Sequence, residues 1–248
     1  MFRKKIRQAD IFSELKPERI LTTLSKLCGR IEEQFPGSGL GRVAKELHEV
    51  ALSIVQLMDK LCRPLWVIRI LTALAILAIL GLAFYVIVLT IRFIPAGESG
   101  LVDLLQGTES AINELIFLTL AILFLATIEI RYKRKMAQNS LHQLRSIAHV
   151  VDMHQLTKDP AFMFDGNGET IGSTKRTMSP YELTRYLDFC SELLAITSKL
   201  AALHAQSFQD SQVLTSVNEV ESLAHGLASK IWQKIMILDR MVSGGKKE

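Results

Sequence analysis

The sequence predicts an all-α integral membrane protein: a two-helix transmembrane hairpin with a cytoplasmic, antiparallel helical bundle. Three observations predict it. Ile70–Ile91 contains no charged residue, and neither does Leu115–Ile128. Lys and Arg crowd the two outer ends of this pair, while the segment between them is acidic. Elsewhere apolar residues recur at helical spacing, and nowhere do they alternate as they would in a strand.

Composition narrows the class. Hydrophobic residues make up 49% of the 248. A soluble chain can approach that fraction but would not concentrate it in one segment. The net charge is +4, and much of the excess sits beside the apolar hairpin, which points to membrane topology rather than nucleic-acid binding. No basic face is interleaved with aromatics as in single-strand binders. Cys28, Cys62 and Cys190 are an odd set without close spacing, as expected of small apolar side chains in a reducing compartment. The basic start Met1–Arg7 is not followed by the apolar stretch of a secretory signal, and Asp10 and Glu14 weaken a mitochondrial presequence. The first span, some 65 residues in, can itself serve as the insertion signal.

Residues 1–63 read as N-terminal cytoplasmic helices. After an amphipathic, surface-lying start, Pro17 suits a first helical turn, and Ile20, Leu21, Leu24, Leu27, Cys28 and Ile31 follow at helical spacing. Gly37-Ser-Gly39-Leu-Gly41 reads as a turn between helices. A phosphate-cradling loop would need a preceding strand, and Arg42 occupies the third glycine position of that fingerprint. Leu40, Val43, Leu47, Val50, Ile54, Leu57 and Leu61 then alternate steps of three and four, a heptad seam of the coiled-coil kind. Ala44, Ala51 and Met58 widen it toward the stripe of a multi-helix bundle. Pro64 either kinks a continuous helix or lets the span start afresh.

Residues 64–93 form the predicted first span. Ile70–Ile91 alone measures about 33 Å as a helix, enough for the roughly 30 Å hydrocarbon core. Residues 94–111 read as a short external link and 112–131 as the second span. Arg63 and Arg69 precede the first span, and Arg131, Lys133, Arg134 and Lys135 follow the second. The positive-inside rule puts both termini in the cytoplasm of a multi-pass plasma (inner) membrane protein, and the same cations should attract anionic headgroups. Glu114 and Glu129 flank the second span. They suit either a cation path in an oligomer or, for Glu129, a pair with Arg69, Arg131 or Lys133 at the interface.

Residues 132–248 read as C-terminal cytoplasmic helices. Leu141, Leu144, Ile147, Ala148 and Val151 continue one helix to about Lys158. A Gly-rich, polar loop covers 160–178. Ser179-Pro180-Tyr181-Glu182 is a capping box, followed by a stripe through Leu183, Leu187, Cys190, Leu194, Thr197, Ala201 and His204. Leu193, Ile196, Leu200 and Leu203 lie beside it. After a break near Phe208–Ser211, Val220, Ala224, Leu227, Ile231, Ile235 and Leu238 mark the last helix. Trp232 either packs there or anchors a partner.

Chemistry is sparse. No Glu has a His three residues on, as ferritin-like metal sites require. His149 and Asp152 share a helical face, but His154 lies about 140° from His149. Asp165-Gly-Asn167-Gly-Glu169 starts like a calcium loop, yet Thr170 and Arg176 occupy the places of its required Gly and Glu. Nucleophile elbow, Walker loop, Cys-x-x-Cys and His-Glu-x-x-His are all missing. The sequence thus predicts a non-enzyme, with no catalytic residues, cofactor or metal.

Three stretches carry a family resemblance: Arg30-Ile-Glu-Glu-Gln-Phe-Pro36; Arg185-Tyr-Leu-Asp-Phe-Cys-Ser-Glu192 with Lys199-Leu-Ala-Ala202; and Ser229-Lys-Ile-Trp-Gln-Lys-Ile235. They resemble an uncharacterised group of bacterial membrane proteins with two spans and helical cytoplasmic flanks. That resemblance implies architecture and no activity. The layout is also similar to that of two-span effectors in bacterial defence systems. The expected function is a membrane-anchored interaction or oligomerisation module, an adaptor or scaffold. Its partners would be the lipid bilayer and either itself or a cytoplasmic protein, not nucleic acid. The alternative is an oligomeric two-span pore or membrane effector gated by its bundle.

Overall fold

The computed structural model describes residues 14–93, 101–156, 158 and 178–244. Every element among them is an α-helix: α1 (Pro17–Gln34), α2 (Gly39–Cys62), α3 (Trp66–Phe93), α4 (Leu101–Ala126), α5 (Ile128–Leu156), α6 (Pro180–Ser207) and α7 (Ser211–Gly244). Two compact units share them. One is Arg63–Lys135; the other comprises Met1–Cys62 and Met136–Glu248. The calcium-like pattern Asp165–Glu169 lies outside the described residues.

In the first unit α3 packs against α4. Among the described residues two helices are long and apolar enough to cross a membrane, their apolar windows falling in Gly39–Val88 and Glu109–Leu156. No residue of either window is buried inside the chain. Leu71, Leu74, Leu77, Leu80, Leu82 and Phe84 of α3 are all exposed, so the apolar surface runs around the whole helix. α4 starts at Leu101, inside the segment the sequence reads as a link. Leu101, Val102, Leu104 and Leu105 favour helix over loop once the chain has turned, and Gly107 does not break it.

The second unit is helical and holds the buried core. α6 packs against α1, α2 and α7, and it buries both predicted stripes together with Tyr186 and Phe189. Ser179 starts it as the sequence predicts: its Oγ accepts from Glu182 N–H at 3.2 Å, and Glu182 Oε2 accepts from Ser179 N–H at 2.8 Å. Asp210 caps α7 by accepting from the amides of Gln212 and Val213. From α5 the bundle takes Ala137, Leu141, Leu144, Ile147, Ala148 and Val151, all buried.

The seam on α2 is offset from the predicted one. Leu40, Val43, Leu47, Ile54 and Leu61 are buried, but Val50 and Leu57 are only half-buried, while Ala44, Ala51 and Met58 are fully covered. The reason is that α2 meets two neighbours, α1 and α6, rather than one. The stripe centre therefore rotates toward the small residues, where a second helix can approach closely.

The glycine-rich stretch is the turn between α1 and α2. Gly37 has φ +67°, which a side chain disfavours, and its N–H donates to Glu32 Oε1 at 3.2 Å. The Gly41 N–H donates to Ser38 Oγ at 3.1 Å. Gly39 leaves room for His154: a Cβ there would run into Cε1 of its ring as it is placed. These amides cap the turn and the start of α2 rather than forming an open phosphate cradle.

Two of the family-like stretches meet in this core. Phe35 stacks edge-on against Tyr186 and Phe189, with ring centroids 5.5 and 6.2 Å apart. The guanidinium groups of Arg30 and Arg185 lie 5.7 and 5.1 Å from the Phe189 centroid, and Arg30 also pairs with Glu192. Phe189 is fully buried beneath them. Phe189→Ala should therefore destabilise the bundle by about 3–5 kcal/mol, read from denaturant unfolding of the detergent-solubilised protein.

His204 is, with Thr197, a buried polar member of the α6 stripe. Its Nδ1 lies 3.0 Å from Leu200 O and its Nε2 3.1 Å from Ser140 Oγ. The neutral ring satisfies both partners if Nδ1–H donates to the carbonyl and Nε2 accepts from the hydroxyl. Burial, outweighing the backbone bonds, pushes its pKa below 6.5. The unfolded chain thus binds a proton at pH values where the folded chain does not. This contribution to stability is complete above about 6.5 and is lost as pH falls below it, with a slope of up to about 1.4 kcal/mol per pH unit. Circular-dichroism melts across this range should show the loss, and His204→Gln should flatten it.

Candidate functional site at the root of the hairpin

Pro64 creates the site. It cannot continue α2, so the chain turns at 63–65 and α3 starts afresh at Trp66. The break strands a carbonyl at Arg63 and an amide at Leu65, and an unpaired backbone group away from water is costly. Two side chains of α5 satisfy them. Glu129 Oε1 accepts from Leu65 N–H at 3.2 Å, and Lys133 Nζ donates to Arg63 O at 2.8 Å.

Glu129 and Lys133 are placed by a second break. α4 ends at Ala126, and the Thr127 N–H donates to Leu123 O and Phe124 O while its hydroxyl donates to Phe124 O. The new helix starts at Ile128, which puts Glu129 in its first turn, where the helix dipole favours a carboxylate. Glu129 Oε2 accepts from Arg69 Nε at 2.6 Å, and Lys133 Nζ lies 3.1 Å from Oε1. One carboxylate thus holds two cations and a backbone amide. Lys133 is buried, and Glu129 keeps only 15% of its side chain exposed.

Around this knot the surface is basic and aromatic. Arg63, Arg69, Arg131 and Lys135 are exposed, and Arg134 is half-buried. Arg131 lies over the Phe124 ring, 4.9 Å from its centroid. Trp66 is 67% exposed and Tyr132 50%. Two cations against one carboxylate in the knot, together with the neighbouring Arg and Lys residues, leave an excess of positive charge. Exposed Trp and Tyr beside such cations are the side chains that suit a water–hydrocarbon boundary.

Of the predicted site residues, the structure gathers Arg63 (through its carbonyl), Arg69, Lys133 and Glu129. Arg131 turns to Phe124 instead of Glu129. Glu114 stands apart: it is exposed on α4, fifteen residues from Glu129, or about 22 Å of helix. The seam Leu40–Leu61 belongs to the bundle core. Sequence reasoning missed Tyr132, whose signal was an aromatic inside the run Arg131–Lys135. It also missed the stranded groups of Arg63 and Leu65, which Pro64 announced.

Among the described residues no three His, Cys, Asp or Glu side chains group as metal ligands. Burial pushes the Cys190 thiol up to about 12 and also raises that of Cys28, leaving both poor nucleophiles. The chain matches no protein-family model, no curated protein and no solved structure.

Glu129→Ala should strand Leu65 N–H and remove the carboxylate that Arg69 and Lys133 share. The hairpin root should lose about 1–3 kcal/mol, seen as a lower melting temperature in detergent. Glu114→Gln should not lower it.

Proposed function

We propose that the protein is a membrane-anchored helical interaction module, an adaptor or scaffold without enzymatic activity. In this reading α3 and α4 cross the plasma (inner) membrane, and the basic, aromatic root lies at headgroup level. Both flanks are cytoplasmic, as the excess of Lys and Arg on that side implies. The carrying observation is the contrast between the two units: the bundle buries its stripes within one chain, while the apolar windows of the hairpin bury nothing.

Because the seam on α2 and the double stripe on α6 are occupied, a partner must use another face. Tyr181 and Trp232, 70% and 59% exposed, line a groove with Pro180, Ile235 and Met236 between the start of α6 and the end of α7. Large aromatics of this kind dominate protein interfaces, which supports a cytoplasmic protein as the partner.

The alternative, an oligomeric pore, draws on exposed Glu114. Glu129, its second acidic residue, is held by Arg69 and Lys133, which speaks for a boundary clamp over a cation path. The mass of the protein in lipid nanodiscs, lipid subtracted, separates the readings. A monomer or dimer is expected, because at most four spans cannot readily enclose a channel. A ring of four or more subunits, with liposome ion flux abolished by Glu114→Gln, would establish the pore instead.

A further inference from the structure

We propose that the seat of His154 against α2 is a proton-sensitive latch, closed while the imidazole is neutral and released when it takes up a proton. The ring lies against Gly39, the first residue of α2, and leaves no space for a Cβ between them. It thereby joins the last turn of α5 to the turn between α1 and α2. All of these residues belong to the helical unit, so the latch stands independently of the membrane reading. His154 is half-buried, so its ring can swing into water without unwinding α5, whose Val151 and Gln155 stay buried.

The surroundings of the ring reject a further positive charge. Arg42, in the first turn of α2, and Lys158, two residues past α5, both act on it. α2 has no acidic residue in that turn, so its amide dipoles add to the positive potential. Carboxylates of the neighbouring turns are engaged elsewhere: Glu32 by Lys45 and Gly37 N–H, and Asp152 by Gln155 Nε2. The end of α5 would itself favour a cation, but its Gln155 carbonyl already accepts from Lys234 Nζ and from Lys158 N–H, each at 3.1 Å. Partial burial and the two cations therefore hold His154 below its ordinary 6.5 while the latch is closed. A released ring returns to about 6.5. The latch is thus tightest above that pH and loosens as pH falls through it, by at most about tenfold per pH unit.

The test is hydrogen exchange read by mass spectrometry on the full chain in detergent, at pH 7.5 and 5.5, corrected for the intrinsic pH dependence of exchange. Protection in the last turn of α5 and the first turn of α2 should fall about three- to tenfold at the lower pH. In His154→Gln the two pH values should give the same protection at both places. In His204→Gln the loss should persist, which separates the latch from the buried histidine of α6. A second measurement follows the His154 ring resonances by NMR titration. Its pKa should lie below 6.5 and rise toward that value in Arg42→Gln and in Lys158→Gln. Equal protection at both pH values overturns the latch, as does a loss that survives in His154→Gln or disappears in His204→Gln. So does a His154 pKa at or above 6.5, or one that neither charge removal moves.

Discussion

A helix that carries apolar side chains around its whole circumference must be surrounded by something apolar, and α3 is such a helix. A helix with one polar side can rest on a single neighbour. With α4 as its packing partner, α3 leaves most of that surface uncovered. The rest of the chain answers to this constraint. The breaks at Pro64 and Thr127 and the ion pairs of Glu129 all sit where the apolar pair meets polar sequence. Beyond them, each helix returns to a one-sided stripe and finds a core.

The two units use charge in different ways. In the bundle, ion pairs such as Arg30–Glu192 and Lys45–Glu32 lie at the surface, where each contributes little. At the hairpin root, Glu129 and Lys133 are mostly shielded and each also serves a stranded backbone group. That second duty matters more than the Coulomb attraction. It ties the turn before α3 to the first turns of α5, so the ends of the hairpin are held by hydrogen bonds as well as by packing.

The helical class, the stripes of α6 and its capping box were legible because each rests on local spacing. The same holds for most of the α7 stripe: Val220, Ala224, Leu227, Ile231 and Leu238 are buried, and Ile235 is half-buried. What depended on neighbours was read less well. On α2 the flanking residues Ala51 and Met58 that widen the seam are buried, while Val50 and Leu57 within it are half-buried, because α2 meets two helices and their relative weight cannot be read from spacing. The start of α4 at Leu101 lies inside the acidic segment 94–111 that reads as a link, because acidic side chains lower hydropathy without being incompatible with a helix. Glu129 was correctly weighed against Arg69 and Lys133, but its bond to Leu65 N–H could emerge only once the turn was in place.

The close approach at Gly39 has an evolutionary corollary. Gly37 is held by its backbone angle, so nothing elsewhere in the chain can free it to vary. Gly41 has no such need, since a methyl group there would meet Ser38 Oγ at an ordinary 3.4 Å. Gly39 differs from both, because the obstacle is the ring of one other residue, His154. A side chain at 39 becomes admissible when 154 shrinks or its ring swings aside, so a large ring held in place at 154 favours glycine at 39. Across related sequences these two positions, 115 apart in the chain, should therefore drift as a pair, 37 should stand still, and 41 should wander alone.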